Sequence, residues 1–195
     1  MQAMATRERI LKVAVPLISE RGYDGITVQE ICSQAETSRP NFYTYFSSKR
    51  DVAREVLQGV NDALYAELAG KEDETAFAFL LHYTDAYLRG IQGSGKAFIR
   101  ETLKFVTIQE FSDADVGADR YKRMVVDILR RAKNRNELPA DFDEELFNRD
   151  FQLLFYGLMI DWCIVPDADL IEYGKGLVTT FIIDRFRRGA CREKQ

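Results

Sequence analysis

Thr27-Val-Gln-Glu-Ile-Cys-Ser-Gln-Ala-Glu-Thr-Ser-Arg-Pro-Asn-Phe-Tyr-Thr-Tyr-Phe-Ser-Ser-Lys49 is the stretch that decides the fold. Val28, Ile31, Cys32 and Ala35 recur at i, i+3, i+4 and i+7, which makes one apolar stripe on a short helix that Thr27 can cap. Gln29, Glu30, Ser33 and Gln34 stay on its wet side. A turn at Glu36-Thr37 follows, strained if Glu36 has to adopt a positive φ. Ser38 is an N-cap residue, and Pro40 falls in the first turn of the next helix, where a missing N–H costs nothing. That second helix is expected over 39–45. Phe42 and Phe46 share an inward face at i, i+4, which turns Arg39, Asn41 and Tyr43 outward. Two short helices with a tight turn, the second aromatic and basic, have the layout of a helix-turn-helix DNA reader. Arginine binds guanine bidentately, asparagine pairs with adenine and tyrosine hydroxyls reach phosphate oxygens. Ser47-Ser48-Lys49 opens the following helix and directs hydroxyls, N–H groups and an ammonium toward one anion-sized spot.

Outward from this stretch, nearly every segment has a period near 3.6 and none alternates as a strand does, so the expected fold is all-α. A first helix over 5–21 turns Ile10, Ala14, Leu17 and Ile18 inward, carries Pro16 midway and ends at Gly22. The fourth runs from Ser48 to Leu68, and Gly70 to Glu74 breaks the pattern. Five more helices are expected over 75–89, 96–111, 118–134, 143–165 and 168–188, about nine in all. The organisation read from this is a helix-turn-helix head at 1–47 and a linker helix plus body at 48–195.

The 195 residues are enough for a full core, and no apolar run approaches the length of a membrane span. No hydrophobic stretch ending in a small-residue cleavage site follows Arg7, Arg9 and Lys12, so a cytoplasmic location is expected. Three dispersed cysteines, Cys32, Cys163 and Cys191, suit free thiols in a reducing compartment. The net charge is −4, but residues 1–60 hold 8 Lys+Arg against 7 Asp+Glu. Phosphate attraction must then come from the placement of Arg39, Lys49 and Arg50.

In the body, the last two helices are apolar on more than one face. Leu146, Leu153, Leu154, Leu158, Leu177 and Phe181 exceed what one intramolecular contact needs, and a two-fold contact with a second copy uses the surplus. Aromatic and polar side chains interleave on the middle helices at His82, Tyr83, Tyr87, Phe98, Phe105, Tyr121, Met124, Phe155 and Met159. Such a mixture lines small-molecule sites and equally builds an ordinary helical core, so both readings stand. His82 is the only histidine and has no metal-ligand spacing around it, so no metal or cofactor is expected. Gly90-Ile-Gln-Gly-Ser-Gly95-Lys96-Ala97 imitates a phosphate-binding loop, but Ala97 has no hydroxyl and a helix pattern, not a strand, precedes it. It reads as a connection between helices. Catalysis by a His-paired nucleophile has no supporting residues.

Ile-Leu-x-x-Ala at 10–14, Arg-Gly-Tyr at 21–23, Thr27, Ser38 and Phe-Tyr-x-Tyr-Phe-x-x-Lys at 42–49 resemble the tetracycline-repressor (TetR) family of bacterial transcription regulators over about Arg7 to Leu57. Glu36-Thr37 stands where a glycine-aliphatic pair is usual, and Pro40 where glycine or alanine is commoner. The resemblance implies a homodimeric repressor on a palindromic operator, released by a small-molecule effector through a swing of the fourth helix. It further implies phosphate contacts from Thr27, Ser38, Tyr43, Tyr45 and Lys49, and base contacts from Gln29, Arg39 and Asn41. An activator on the same fold would share these residues, whereas an enzyme built on the helical body would need a titratable partner for His82.

Overall fold

The computed structural model describes residues 2–107 and 118–191. Among them are nine helices and no strand: α1 (Gln2–Arg21), α2 (Val28–Gln34), α3 (Arg39–Tyr45), α4 (Lys49–Leu68), α5 (Ala76–Ser94), α6 (Lys96–Thr107), α7 (Ala118–Asn134), α8 (Glu144–Ile164) and α9 (Leu170–Cys191). The chain forms two compact units, one of Met1–Asp62 with Ser94–Ala118, the other of Ala63–Gly93 with Asp119–Gln195.

In the first unit, Ile10, Ala14, Leu17 and Ile18 are buried, as their spacing on α1 requires. They share the core with Ile26, Ile31, Ala35, Phe42, Phe46 and Val52. The helix continues through Pro16, which is exposed. It ends at Gly22, whose φ of +74° suits a residue without a Cβ and whose N–H donates to the Ile18 carbonyl at 2.9 Å. The position is closed sterically as well. A Cβ there would lie 3.0 Å from Oε1 of Glu101, a buried carboxylate on α6. Glu101 accepts the Tyr23 N–H at 3.0 Å and the Lys104 ammonium at 2.7 Å. Packing of α6 on α1 therefore adds to the three-helix head a helix that lies distant in sequence.

In the second unit, the largest fully buried side chains include Phe79, Leu80, Tyr83, Leu88, Phe151 and Phe155, joined by Leu170, Val178 and Ile182 from α9. A Cβ on Gly174 would come within 3.1 Å of Leu88 Cδ1, so α5 and α9 approach closely. Trp162 closes the α8–α9 connection by donating its indole N–H to the Ala168 carbonyl at 2.9 Å.

The segment imitating a phosphate loop is mostly helix. α5 runs through Gly90 and Gly93 to Ser94, and only Gly95, at φ +80°, breaks it. The expected end of α6 at residue 111 lies outside the described residues.

Candidate nucleic-acid interface

Two capping arrangements position the helix pair. Thr27 precedes α2 with extended backbone, and its Oγ1 accepts the Glu30 N–H at 3.2 Å while the Glu30 carboxylate accepts the Thr27 N–H at 2.8 Å. This reciprocal pair satisfies two N–H groups that no helical carbonyl can reach. Arg21, from the end of α1, adds a contact to Glu30 at 2.7 Å. Hydrogen bonds from Arg21 and then Thr27 hold the Glu30 carboxyl down to about 2 from 4.5. Because the folded value is the lower one, this contribution is complete above about pH 4.5 and lost as pH falls toward 2. Thermal midpoints followed by circular dichroism from neutral pH to pH 3 should therefore fall more steeply in the parent than in Glu30→Gln. Parallel curves would show that the cap contributes nothing to the pH dependence.

The turn closes with Glu36 at φ +48°, its N–H donating to Ser33 at 3.4 Å and the Thr37 N–H to Cys32 at 3.0 Å. A non-glycine side chain in this conformation costs about 1 kcal/mol. Arg9 adds a bond from Nε to the Ala35 carbonyl at 3.3 Å. Ser38 then caps α3, accepting the Asn41 N–H at 3.2 Å, and Pro40 occupies the first turn.

Phe42 and Phe46 are buried with ring centroids 5.7 Å apart. Opposite them, Arg39, Pro40, Tyr43 and Thr44 are exposed, Tyr43 to 48% and edge-on to Phe42. Thr27, Gln29 and Ser38 are exposed beside them, whereas Tyr45 is half-buried. Two residues read from sequence as outward are engaged within the chain. Asn41 is half-buried and donates from Nδ2 to Thr37 Oγ1 at 2.8 Å, tying α3 to the turn. Lys49 directs Nζ to the carbonyls of Tyr23 and Ile26, at 2.7 and 2.8 Å, and lies 4.1 Å over the Tyr23 ring. The Ser47 hydroxyl bonds to the Asp51 carboxylate and holds it below the usual carboxylate range. At the start of α4, Ser47 and Lys49 thus engage separate groups of the chain rather than one common point. Thr44, which sequence reasoning passed over, stands four residues after Pro40 and bonds back to its carbonyl at 3.2 Å.

The aromatic residues of the second unit pack on one another. Tyr83 stacks on Tyr87 at 5.6 Å and meets Tyr121, Phe151 and Phe155 at 5.3–5.9 Å, while Tyr87 and Phe155 are 4.5 Å apart. The Tyr87 hydroxyl reaches Met159 Sδ at 4.0 Å. His82 stands apart from this cluster, exposed and bonded to Glu74 at 2.7 Å. Phe98 is buried on α6 in the first unit, and the Phe105 side chain lies outside the described residues. A groove of about 350 Å³ does occur in the second unit, between α4 and α7, and of the nine residues named from sequence Met124 lines it. Among the described residues, no group of His, Cys, Asp and Glu has metal-binding geometry, and no helix is long and apolar enough to cross a membrane.

On α8 and α9, Leu146 and Leu177 are exposed to 38% and 49%, whereas Leu154 and Phe181 are half-buried. Leu158 departs from the sequence reading. It is buried in the chain's own core, 3.8 Å from the position of a Cβ on Gly174. Leu153 is exposed, in keeping with the surplus, and Ile160 and Ile164 are exposed apolar residues of α8 that the reading missed, although with Leu153 they continue from Leu146 at i+7, i+14 and i+18.

Residues 10–56 match the family model of bacterial regulatory proteins of the tetR family. The HTH-type transcriptional regulator YvdT of Bacillus subtilis is 36% identical over 76 residues, 37% of this chain and 39% of that protein. The HTH-type transcriptional repressor KstR2 of Mycobacterium tuberculosis is 32% identical over 75 residues, 38% of each. The chain thus spans about two fifths of the length of these curated relatives. Among solved structures, a TetR family transcriptional regulator, PfmR of Thermus thermophilus, superposes with a TM-score of 0.67 at 22% identity, over 89% of this chain and 96% of the other.

Proposed function

We propose that the chain, whose residues 10–56 match the family model of bacterial regulatory proteins of the tetR family, is a sequence-specific DNA-binding repressor, dimeric on a palindromic operator and released by a small-molecule effector. The observation that carries this reading is the face of α3: Arg39, Pro40, Tyr43 and Thr44 stand exposed on a helix fixed by Ser38 behind it and Phe42 beneath it. A short helix so presented fits a major groove about 12 Å wide, with phosphate-contacting side chains at its edges. Arg39 is the principal base reader in this proposal, with Gln29 beside it and Asn41 contributing through the atoms that its bond to Thr37 leaves open. Thr27, Ser38, Tyr43 and Tyr45 take phosphates. Lys49 acts first as a clamp on the turn between α1 and α2, with one ammonium N–H remaining for a phosphate. Residues 1–47 read the operator, while 48–195 link, dimerise and bind the effector. α4 continues from the first unit into the second, which supports its role as the lever.

Dimerisation is supported by the stripe of Leu146, Leu153, Ile160 and Ile164 along α8 and by Leu177 on α9. Gly157 and Gly176 lie on the same helices with open space where a Cβ would be, which lets a second copy approach closely. Two readers related by a two-fold axis meet half-sites about one helical turn, ~34 Å, apart.

The test uses an operator selected from random duplexes and a scrambled control. Arg39→Ala is expected to lose about 1–3 kcal/mol on the operator and much less on the control. Lys49→Ala is expected to weaken both alike and to lower the melting temperature, because two backbone carbonyls lose their donor. Anisotropy titrations at several salt concentrations read both effects. Equal losses on the two duplexes for Arg39→Ala would move sequence reading away from α3.

A further inference from the structure

We propose that the groove between α4 and α7 is a binding site for a small organic anion, a carboxylate or phosphate monoester with a short apolar body. Arg120, Met124, Asp127 and Arg131 follow one another at i, i+4, i+7 and i+11 and so share one face of α7, with Arg123 at its margin. The other face is committed to the core, where Val125, Leu129 and Ala132 are fully buried. This division gives the groove, about 350 Å³, a wall of three guanidinium groups above a floor of Met124 and Ile128, which are 8% and 1% exposed. The volume lies at the lower end of the range of small-molecule sites, about 300–1,000 Å³.

Within the lining, three guanidinium groups stand against two carboxylates. Its two carboxylates are Glu72 and Asp127, and Asp127 faces Arg130, 3.6 Å away and outside the lining. Arg123 is held by Asp119, but among the described residues no ion pair holds Arg131, which is exposed. Arg120 lies with its guanidinium carbon 4.1 Å over the centre of the Tyr65 ring from α4. That stacking fixes the plane of the fork, and a guanidinium fork matches the paired oxygens of a carboxylate or phosphate. A cation would meet more guanidinium groups than carboxylates here, and a neutral molecule would use only the floor. On a chain of net charge −4, such a concave cationic wall selects for an anion.

The test is calorimetric titration of the full chain, without DNA, with hexanoate, hexyl phosphate, inorganic phosphate, hexanol and hexylammonium. Binding is read on the protein alone, so the outcome is separate from that of the repressor proposal. Hexanoate, hexyl phosphate or both should bind saturably and more weakly as salt rises, inorganic phosphate less tightly than hexyl phosphate, and hexanol and hexylammonium not measurably. The first two arms tell which anion the site prefers. Arg131→Gln and Arg120→Gln should each raise the dissociation constant at least tenfold, with helicity by circular dichroism unchanged. The proposal is overturned if hexanol binds as tightly as the anions, if both Gln variants keep the parent's anion affinity, or if neither hexanoate nor hexyl phosphate saturates at millimolar concentration.

Discussion

Replacing Phe42 with Ala is expected to destabilise the first unit by about 3–5 kcal/mol, the range for removing a fully buried phenyl ring. Phe42 has no exposed surface, packs against Phe46 at 5.7 Å and takes Tyr43 edge-on at 5.4 Å. It is also a backbone link in α3, donating to Ser38 at 2.8 Å and accepting from Phe46 at 3.0 Å. Stabilities of whole domains are only about 5–15 kcal/mol, so the loss leaves α3 poorly held. Two probes separate the units. The single tryptophan, Trp162, belongs to the second unit and reports there, whereas far-ultraviolet circular dichroism follows helices of both. In urea, the dichroism transition should move to lower denaturant by an amount equivalent to several kcal/mol, and operator binding should fall with it. A shift below about 1 kcal/mol would mean that the α3 core tolerates a cavity there and that Phe42 is not what holds the helix.

The second large effect is expected at the proposed interface between copies. Leu153 and Leu177 are 59% and 49% exposed, so Leu153→Glu and Leu177→Glu should change the stability of a single chain by no more than about 0.5 kcal/mol. In a two-fold contact each substitution appears twice. Unpaired carboxylates forced into a dry seam cost several kcal/mol together. At 1.4 kcal/mol per tenfold, a loss of about 4 kcal/mol raises the dimer dissociation constant roughly a thousandfold. Sedimentation velocity at micromolar concentration should show the parent as a dimer and the variants as folded monomers. A monomeric parent, or variants that remain dimeric, would assign the apolar stripe to something else.

What could be read in advance was local. Ser38 with Pro40 two residues later marks the start of α3, and the i, i+4 spacing of Phe42 and Phe46 gives its buried face. Thr27 followed by Glu30 carries the reciprocal cap in four letters, although only the Thr27 half was read. The destinations of long polar side chains were not legible. Lys49 ends on the carbonyls of Tyr23 and Ile26, and a carbonyl is present at every position, so nothing in the sequence marks those two. The inward face of Phe42 and Phe46 turns Asn41 outward by spacing, yet its amide finds Thr37 one turn back. The aromatic residues of the second unit pose a different difficulty. Tyr83, Tyr87, Tyr121 and Phe155 have the same composition whether they surround a void or close it, and the difference lies in ring offsets of an ångström or two. The groove on α7 was overlooked because Arg120, Arg123 and Arg131 look, in one dimension, like the solvated side of any amphipathic helix.

The split of the first unit into Met1–Asp62 and Ser94–Ala118 bears on how the protein is made. Synthesis proceeds at about 5–20 residues per second, so residue 118 emerges roughly 3–11 s after residue 62. Until α6 has emerged, the Tyr23 N–H has no Glu101 carboxylate to receive it, and the face of α1 that packs on α6 has nothing to meet. A nascent chain thus carries an incomplete first unit for several seconds. A chain that has emerged only as far as residues 62 to 94 presents a head without its last helix, and a gene fragment ending in that interval encodes the same unfinished object.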